Sequence, residues 1–263
     1  MKKFILTVFL GACVLMGKNL VVLDPAAVEI LYMLEAEDQI SAIAKPTMSK
    51  IYPQEKTDLL PSVGSYIKPN LEKIVELNPD LIITSFHSAN AGNDLKNLSF
   101  ESLELKADSM EQICQNTKKL GEIVGKSEKA DELCVDMQNV FENKTELKGK
   151  TAIAFFSANP TMAFTDKTLP GDIISKLGMQ NLANSLQGST PIISSEFMIE
   201  KNPDFIIMVG LNSDLDSFLK NNPIMSNTKA VKNGKFIVLP STILRGSPKI
   251  VEKVEQIYGE LIK

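Results

Sequence analysis

The sequence predicts two α/β lobes, each organised around a parallel β-sheet. The first observation is an internal repeat: residues 72–83 (EKIVELNPDLII) return as residues 196–207 (EFMIEKNPDFII), with seven of twelve positions identical. Each copy has the pattern of a short amphipathic helix that stops before a proline and leads into an apolar run typical of a buried strand. A unit repeated about half a chain apart indicates two lobes built on one plan. Chance similarity between two common helix-to-strand turns is the alternative.

The second observation is that strands and helices alternate in both halves, as in parallel sheets covered by helices. In the first half we predict strands at residues 20–23, 40–44, 81–84 and 103–105, and helices at residues 26–34 (with Asp24 as N-cap) and 109–124. In the second half we predict strands at residues 151–156, the repeat strand and 236–239, and helices at residues 169–178, 215–219 and from Ser247-Pro248 to Lys263.

The third observation is a long helical pattern between the halves. Residues 127–147 contain neither Pro nor Gly, so they predict one helix about 30 Å long, suited to bridging two bodies. The chain is therefore divided into an N-terminal lobe (residues 18–125), a linking helix (126–148) and a C-terminal lobe (149–263).

The first 17 residues predict an export signal. Lys2 and Lys3 precede an apolar run too short to span a bilayer. The sequence LGAC ending at Cys13 resembles a bacterial lipobox, in which Cys13 would be lipidated, whereas the apolar residues after Cys13 favour a plain signal cleaved near Gly17. With either signal we expect the protein in the periplasm, soluble or lipid-anchored to a bacterial membrane.

Composition restricts the classes of function. The net charge of −4 offers no basic surface for nucleic acid. The sequence has no Gly-x-Ser-x-Gly, P-loop or His-Glu-x-x-His motif and one histidine, so we do not expect an enzyme. Cys114 and Cys134 match no metal-binding spacing; we favour two buried thiols, with a disulfide as the alternative.

Several motifs, in their order along the chain, resemble the periplasmic or lipid-anchored substrate-binding proteins of ABC importers for iron–siderophore complexes, haem and cobalamin. They are VVLDPAAVEI (21–30), LPSVGSYIKPNLEKI (60–74), NPDLII (78–83), NPI (222–224), AVKNGKF (230–236) and LRGSPKIV (244–251). The resemblance covers essentially the whole chain after the export signal. It implies two Rossmann-like lobes joined by a single long backbone helix, the helical-hinge periplasmic binding protein fold.

The resemblance also implies that one glutamate of each lobe docks onto arginines of the membrane permease. Glu72 and Glu196, the leading residues of the two repeats, match those positions. Acids are favourable at helix starts in any case, so a purely local role is the alternative.

In this fold the ligand lies between the lobes, against loops that follow strands. The residues nominated are Tyr66, His87, the loop at 45–48, Phe164, Thr165 and Arg245. A phenolate suits Fe(III), and some haem-binding members of the family use a tyrosine from the loop of Tyr66; stacking or packing at the rim is the alternative. His87 is a candidate for metal binding or for a hydrogen bond to a chelate. Arg245, the single arginine, suits a carboxylate or propionate, or pairs with a neighbouring acid.

We therefore expect an exported, non-catalytic receptor that captures an iron chelate (a siderophore complex or haem) and delivers it to an ABC permease and its ATPase. It would act as a monomer without an intrinsic cofactor. One arginine disfavours a strongly anionic catecholate. The alternatives are cobalamin or a nickel or cobalt complex as cargo, a periplasmic enzyme, and a sensor subunit.

Overall fold

A computed structural model describes residues 17–47, 49–88, 95, 97–210 and 214–263. Cys13, with nearly all of the predicted export signal, lies outside the described residues, as does Met48 of the predicted ligand loop. Within the described part of the chain, no helix is both long and apolar enough to cross a membrane.

The N-terminal lobe contains a four-stranded, all-parallel sheet with the strand order β2-β1-β3-β4. The strands are β1 (Leu20–Val22), β2 (Ile40–Ile43), β3 (Leu81–Ser85) and β4 (Ser102–Leu105). The described helices of this lobe are α1 (Pro25–Met33), α2 (Gln54–Thr57) and α3 (Leu71–Leu77). Asp24 caps α1 as predicted, because its Oδ1 accepts a hydrogen bond from the backbone N of Ala26 at 2.9 Å.

The C-terminal lobe contains a second, mostly parallel sheet with the order β6-β5-β8-β9, and β7 also pairs with β5. The strands are β5 (Thr151–Ala158), β6 (Thr161–Ala163), β7 (Gln180–Asn181), β8 (Phe205–Val209) and β9 (Phe236–Leu239). Only β6 is antiparallel among these described strands. The two parallel-sheet lobes confirm the predicted fold class.

Two helices, α4 (Met110–Val124) and α5 (Ser127–Asn139), pack side by side and contribute to the cores of both lobes. α5 begins where the linking helix was predicted but ends eight residues before residue 147. It ends early because the chain turns after Val140 and Asn143 takes a left-handed φ of 60°, which interrupts a right-handed helix. The remaining helices are α6 (Leu169–Lys176), α7 (Ser195–Lys201), α8 (Leu215–Asn221), α9 (Lys229–Lys232) and α10 (Ile250–Leu261).

Cys114 on α4 and Cys134 on α5 form a disulfide, with their Cα atoms 5.1 Å apart. The preference for two buried thiols was therefore wrong. The close packing of the two helices brings the cysteines within bonding range, and Gly121 contributes to it: a Cβ there would lie 2.6 Å from Cβ of Ala130. Helical periodicity alone does not reveal which helices pack together.

The internal repeat is one helix–turn–strand unit present in both lobes. α3 and α7 each end at an asparagine in the left-handed conformation, Asn78 with φ 42° and ψ 61° and Asn202 with φ 44° and ψ 64°. Each asparagine is followed by proline and then by the buried strand β3 or β8. Asparagine tolerates this conformation better than most residues, which accounts for its presence in both copies.

The aspartate of each repeat has the same structural task. Asp80 Oδ2 accepts a hydrogen bond from the backbone N of Asn19, just before β1, at 2.8 Å. Asp204 Oδ2 accepts one from the backbone N of Thr151, the first residue of β5, at 2.9 Å. The repeat therefore fixes the start of the neighbouring strand in each lobe, so it is structural and not a chance similarity.

Candidate functional site

A cleft of about 580 Å³ lies between the two lobes. It opens at the carboxyl ends of parallel strands, where ligands bind in open α/β sheets. Asp24 follows β1, Ser85 ends β3 and Leu105 ends β4, and the C-terminal lobe contributes Ser241 and Arg245 from the segment after β9. Both lobes therefore supply residues to one site.

Aromatic side chains line the N-terminal side of the cleft. Tyr66 lies there as predicted, half-buried and packed against the apolar cluster around Val63 and Ile74. Phe86 also lines the cleft, and its side chain is 70% exposed. These rings offer an apolar, stackable surface to a ligand.

His87 lies in a short 3₁₀ turn, Phe86–Ser88, directly after β3. The structure does not describe its side chain, so a contact with the ligand stays a prediction. No group of three or more His, Cys, Asp or Glu side chains that could hold a metal occurs among the described residues.

Phe164 and Thr165 lie beneath the cleft wall and not on it. Phe164 is 7% exposed and packs against Phe156, with ring centroids 5.5 Å apart. The buried hydroxyl Oγ1 of Thr165 donates to the carbonyl oxygens of Gly188 and Ser189, at 3.1 Å each. The two residues support the loop through which Ser189 reaches the cleft, and neither is among its described lining, so their direct contact with a ligand stays a prediction.

Arg245 forms an ion pair across the two lobes. Its Nη1 donates to Oε1 of Glu29 on α1 at 2.6 Å, and the two side chains are 15% and 5% exposed. Nη1 also donates to the carbonyl oxygen of Lys50, and Nη2 donates to Oγ of Ser49 at 2.9 Å. The structure therefore places Arg245 at the cleft and realises the alternative in which it pairs with an acid.

Glu29 is held from both lobes as well. Its Oε2 accepts a hydrogen bond from Oγ of Ser247 at 2.5 Å, and its Oε1 accepts one from the backbone N of Tyr52 at 3.1 Å. Ser247 therefore does not cap the last helix as predicted; that helix begins at Ile250, after Lys249. The sequence reasoning missed Glu29, although a lone acid within the apolar run of α1 was a usable indication.

Asp24 is a second acid at the cleft that the sequence reasoning treated only as a helix cap. Its pKa is raised from 3.8 to about 6, mainly because the carboxyl is buried and to a lesser extent because the charge of Glu29 lies nearby. The N–H of Ala26 and the guanidinium of Arg245 oppose this rise in pKa. A carboxyl with a raised pKa in a cleft is a candidate functional group.

Glu72 and Glu196 occupy equivalent, exposed positions outside the cleft. Each is the second residue of its helix, α3 or α7. A hydrogen bond from its own backbone N–H, followed by one from Ser194, lowers the pKa of Glu196. One turn later on the same helix faces lie Val75 and Ile199, 46% and 38% exposed, so each lobe presents an acid beside an exposed apolar residue.

Three known proteins that are similar to this chain are named for binding or uptake. The petrobactin-binding protein YclQ of Bacillus subtilis is 26% identical over 261 residues, covering 93% of this chain and 81% of YclQ. The high-affinity heme uptake system protein IsdE of Staphylococcus aureus is 24% identical over 226 residues, covering 80% and 75% of the two chains. A solved structure of a possible iron-binding (periplasmic solute-binding) protein from Staphylococcus epidermidis has a TM-score of 0.83 and 22% identity, covering 94% of this chain and 100% of that one.

The family model described as periplasmic binding protein matches residues 20–243. This range begins at β1 and ends just before Arg245, so it contains both sheets and both helices between them. The chain therefore belongs to the periplasmic binding protein family.

Proposed function

We propose that this protein is the substrate-binding component of an ABC importer, and that it captures an iron chelate, a siderophore complex or haem, and delivers it to the membrane permease. The observation that carries the proposal is the cleft between the lobes, which both lobes line with residues at the ends of their strands. Its relatives YclQ and IsdE, named for petrobactin binding and heme uptake, support an iron chelate as cargo.

The size and lining of the cleft support this cargo. A volume of about 580 Å³ lies within the usual range of small-molecule pockets, roughly 300–1,000 Å³. Tyr66 and Phe86 offer rings for stacking, and the Tyr66 phenol is an oxygen donor suited to Fe(III). Capture without turnover is the activity that we assign.

The repeated acids supply the docking surface in this proposal. Glu72 and Glu196 would each pair with a cation of the permease, with Val75 and Ile199 packing beside them. Exposed charges at the rim of an interface mainly steer association and fix its register. A glutamate and an apolar residue at equivalent helix positions in both lobes suit a partner that presents one site twice.

The predicted export signal and the disulfide between Cys114 and Cys134 support a location outside the cytoplasm, because such bonds persist in oxidising compartments. The periplasm, with or without a lipid anchor at Cys13, is the location that we assign.

Titration followed by absorbance tests the proposal. The purified protein is titrated with haemin, ferric siderophores and cobalamin, in parallel with the variant Tyr66→Phe. Saturable binding of haemin that is lost in Tyr66→Phe would establish haem as cargo with phenolate ligation. Saturable binding of a ferric siderophore that is unchanged in Tyr66→Phe would establish a siderophore receptor. Binding of cobalamin alone, or of none of these ligands, would contradict the proposal.

A further inference from the structure

Little of the positive charge on the described lining of the cleft is available to a cargo. The charged side chains among its described lining are Asp24, Lys106, Asp108 and Arg245. Arg245 is already occupied, because its guanidinium donates to Glu29, Lys50 and Ser49. Glu29 is 3% exposed, so an anionic cargo could reach Arg245 only by competing with a buried carboxylate, which would then lose its partner.

The partial positive charge at the N-terminus of α1 is also offset, by the side chain of Asp24. Pro25 and Ala26, in its first turn, line the cleft, and a helix start of this kind normally favours anions. Asp24 Oδ1 already accepts the hydrogen bond of the Ala26 N–H at 2.9 Å. An anion arriving at this helix start would therefore meet a carboxylate.

The remaining lining leaves a small excess of negative charge. Lys106 and Asp108 are both exposed and lie two residues apart on the segment after β4, so their charges offset one another. The hydroxyls of Ser85 and Ser241 and the ring of Phe86 are neutral. The carboxylate of Asp24 is then the excess charge on the described part of the wall.

We propose, building on the proposed function, that the cargo is a ferric chelate of zero or positive net charge, and that Asp24 faces it. Ferric trihydroxamates belong to this class. A trianionic ferric tricatecholate would be repelled by Asp24 and would find no available arginine. Haem is disfavoured for the same reason, because its two propionates need cations.

The first test compares ferric chelates that differ in charge. The probes are ferrioxamine B (cationic), ferrichrome (neutral), ferric enterobactin (trianionic) and haemin, titrated at low ionic strength. Ferrioxamine B or ferrichrome is expected to have a Kd lower than that of ferric enterobactin by about 100-fold or more, because one carboxylate attracts the cation, leaves the neutral chelate unaffected and repels the trianion.

The second test removes the charge of Asp24. Asp24→Asn keeps a side-chain oxygen for the helix cap. It is expected to weaken ferrioxamine B binding by about fivefold, to strengthen ferric enterobactin binding by about 100-fold because the trianion carries three times the charge, and to leave ferrichrome within about twofold. The matched control is Glu122→Gln, an exposed acid on α4 outside the cleft lining, which should change none of the three. If Asp24→Asn does not fold, Asp108→Asn replaces it, because Asp108 lies at the cleft but outside the helix cap. It is expected to shift the ratio of the Kd values for ferrioxamine B and ferric enterobactin in the same direction.

The outcomes separate this inference from the proposed function. Tightest binding of ferric enterobactin or haemin would overturn the inference and leave an iron-chelate receptor standing. Equal weakening of all the chelates by Asp24→Asn would assign Asp24 a structural role, which also overturns the inference. Absence of binding by every probe would overturn both.

Discussion

Arg245 Nη1 lies 2.6 Å from Glu29 Oε1, and this buried pair joins the C-terminal lobe to helix α1 of the N-terminal lobe. Ser247 and the backbone of Tyr52 complete the hydrogen bonding of Glu29. Arg245 lines the cleft, so one interaction both holds the lobes together and engages the single arginine of the cleft with a carboxylate of the protein itself.

Breaking this pair should destabilise the protein. Arg245→Met leaves the carboxylate of Glu29 buried without its cation, which typically costs about 3–5 kcal/mol of unfolding free energy. The measurement is the shift in the urea denaturation curve. Lys118→Met is the matched control, because the Lys118–Asp131 pair (2.7 Å) is exposed and should be worth less than about 1 kcal/mol. Equal losses in the two variants would contradict the structural role of the buried pair.

Asp24 should make stability depend on pH. Its pKa is about 6 in the folded protein against an ordinary value of 3.8, so the folded state holds the proton more tightly. The contribution of Asp24 to stability therefore falls as the pH rises from about 4 to 6, and above pH 6 the cost of the buried carboxylate is fully present. Asp24→Asn should raise the unfolding free energy by about 1–3 kcal/mol at pH 7.5 and by almost nothing at pH 4.

Urea denaturation of the parent and of Asp24→Asn at pH 4 and pH 7.5 measures these differences in unfolding free energy. The control is Asp136→Asn, at an exposed acid on α5, which should stay within about 0.5 kcal/mol of the parent. A gain from Asp24→Asn that is equal at pH 4 and pH 7.5 would show that burial of the charge is not its cause.

The disulfide between Cys114 and Cys134 should stabilise the pair of helices between the lobes. It closes a loop with a sequence separation of 20, for which chain-entropy arguments give about 3 kcal/mol. Cys114→Ala with Cys134→Ala should lower the melting temperature in oxidising buffer. Dithiothreitol should lower that of the parent and leave that of the double variant unchanged. A melting temperature of the parent that does not respond to the reductant would count against the bond.

Glu72 and Glu196, which we propose as docking residues, should matter for delivery and not for capture. With Glu72→Ala and Glu196→Ala combined, uptake by the permease and ATPase reconstituted in vesicles should fall by about tenfold or more, because two charged contacts are lost at the interface. The Kd for cargo in solution should change less than about twofold, because both residues lie outside the cleft. Glu122→Ala with Glu260→Ala, exposed acids on α4 and α10, is the control. Weakened cargo binding in the first pair would contradict a docking role.

Local sequence patterns predicted most of the fold but few of the contacts across the cleft. The Asn-Pro-Asp repeat was informative because its left-handed Asn78 and Asn202 and its strand-holding aspartates are local requirements. The placement of Tyr66 on the cleft wall followed from the position of its loop. The early end of α5 could not be predicted, because nothing near Asn143 other than its own tolerance of positive φ marks the turn.

Contacts between distant segments were missing from the prediction for a different physical reason. Glu29 and Arg245 are 216 residues apart, and the disulfide depends on which helices pack together. Phe164 and Thr165 were expected at the ligand because they follow a strand, yet they are buried under the loop of Ser189. Periodicity shows which face of an element is buried, but not which neighbour buries it.

The central claim, that an iron chelate is held between the lobes, can be tested with a single fluorophore. The chain contains no tryptophan, so Ser189→Trp, at an exposed position on the cleft wall, introduces the only indole emission. Leu59→Trp, at a side chain that is 83% exposed and outside the cleft lining, is the matched control. Ferric chelates should quench the emission of Ser189→Trp saturably, and that of Leu59→Trp should change little. Equal quenching in both variants, or saturable quenching in neither, would contradict binding between the lobes.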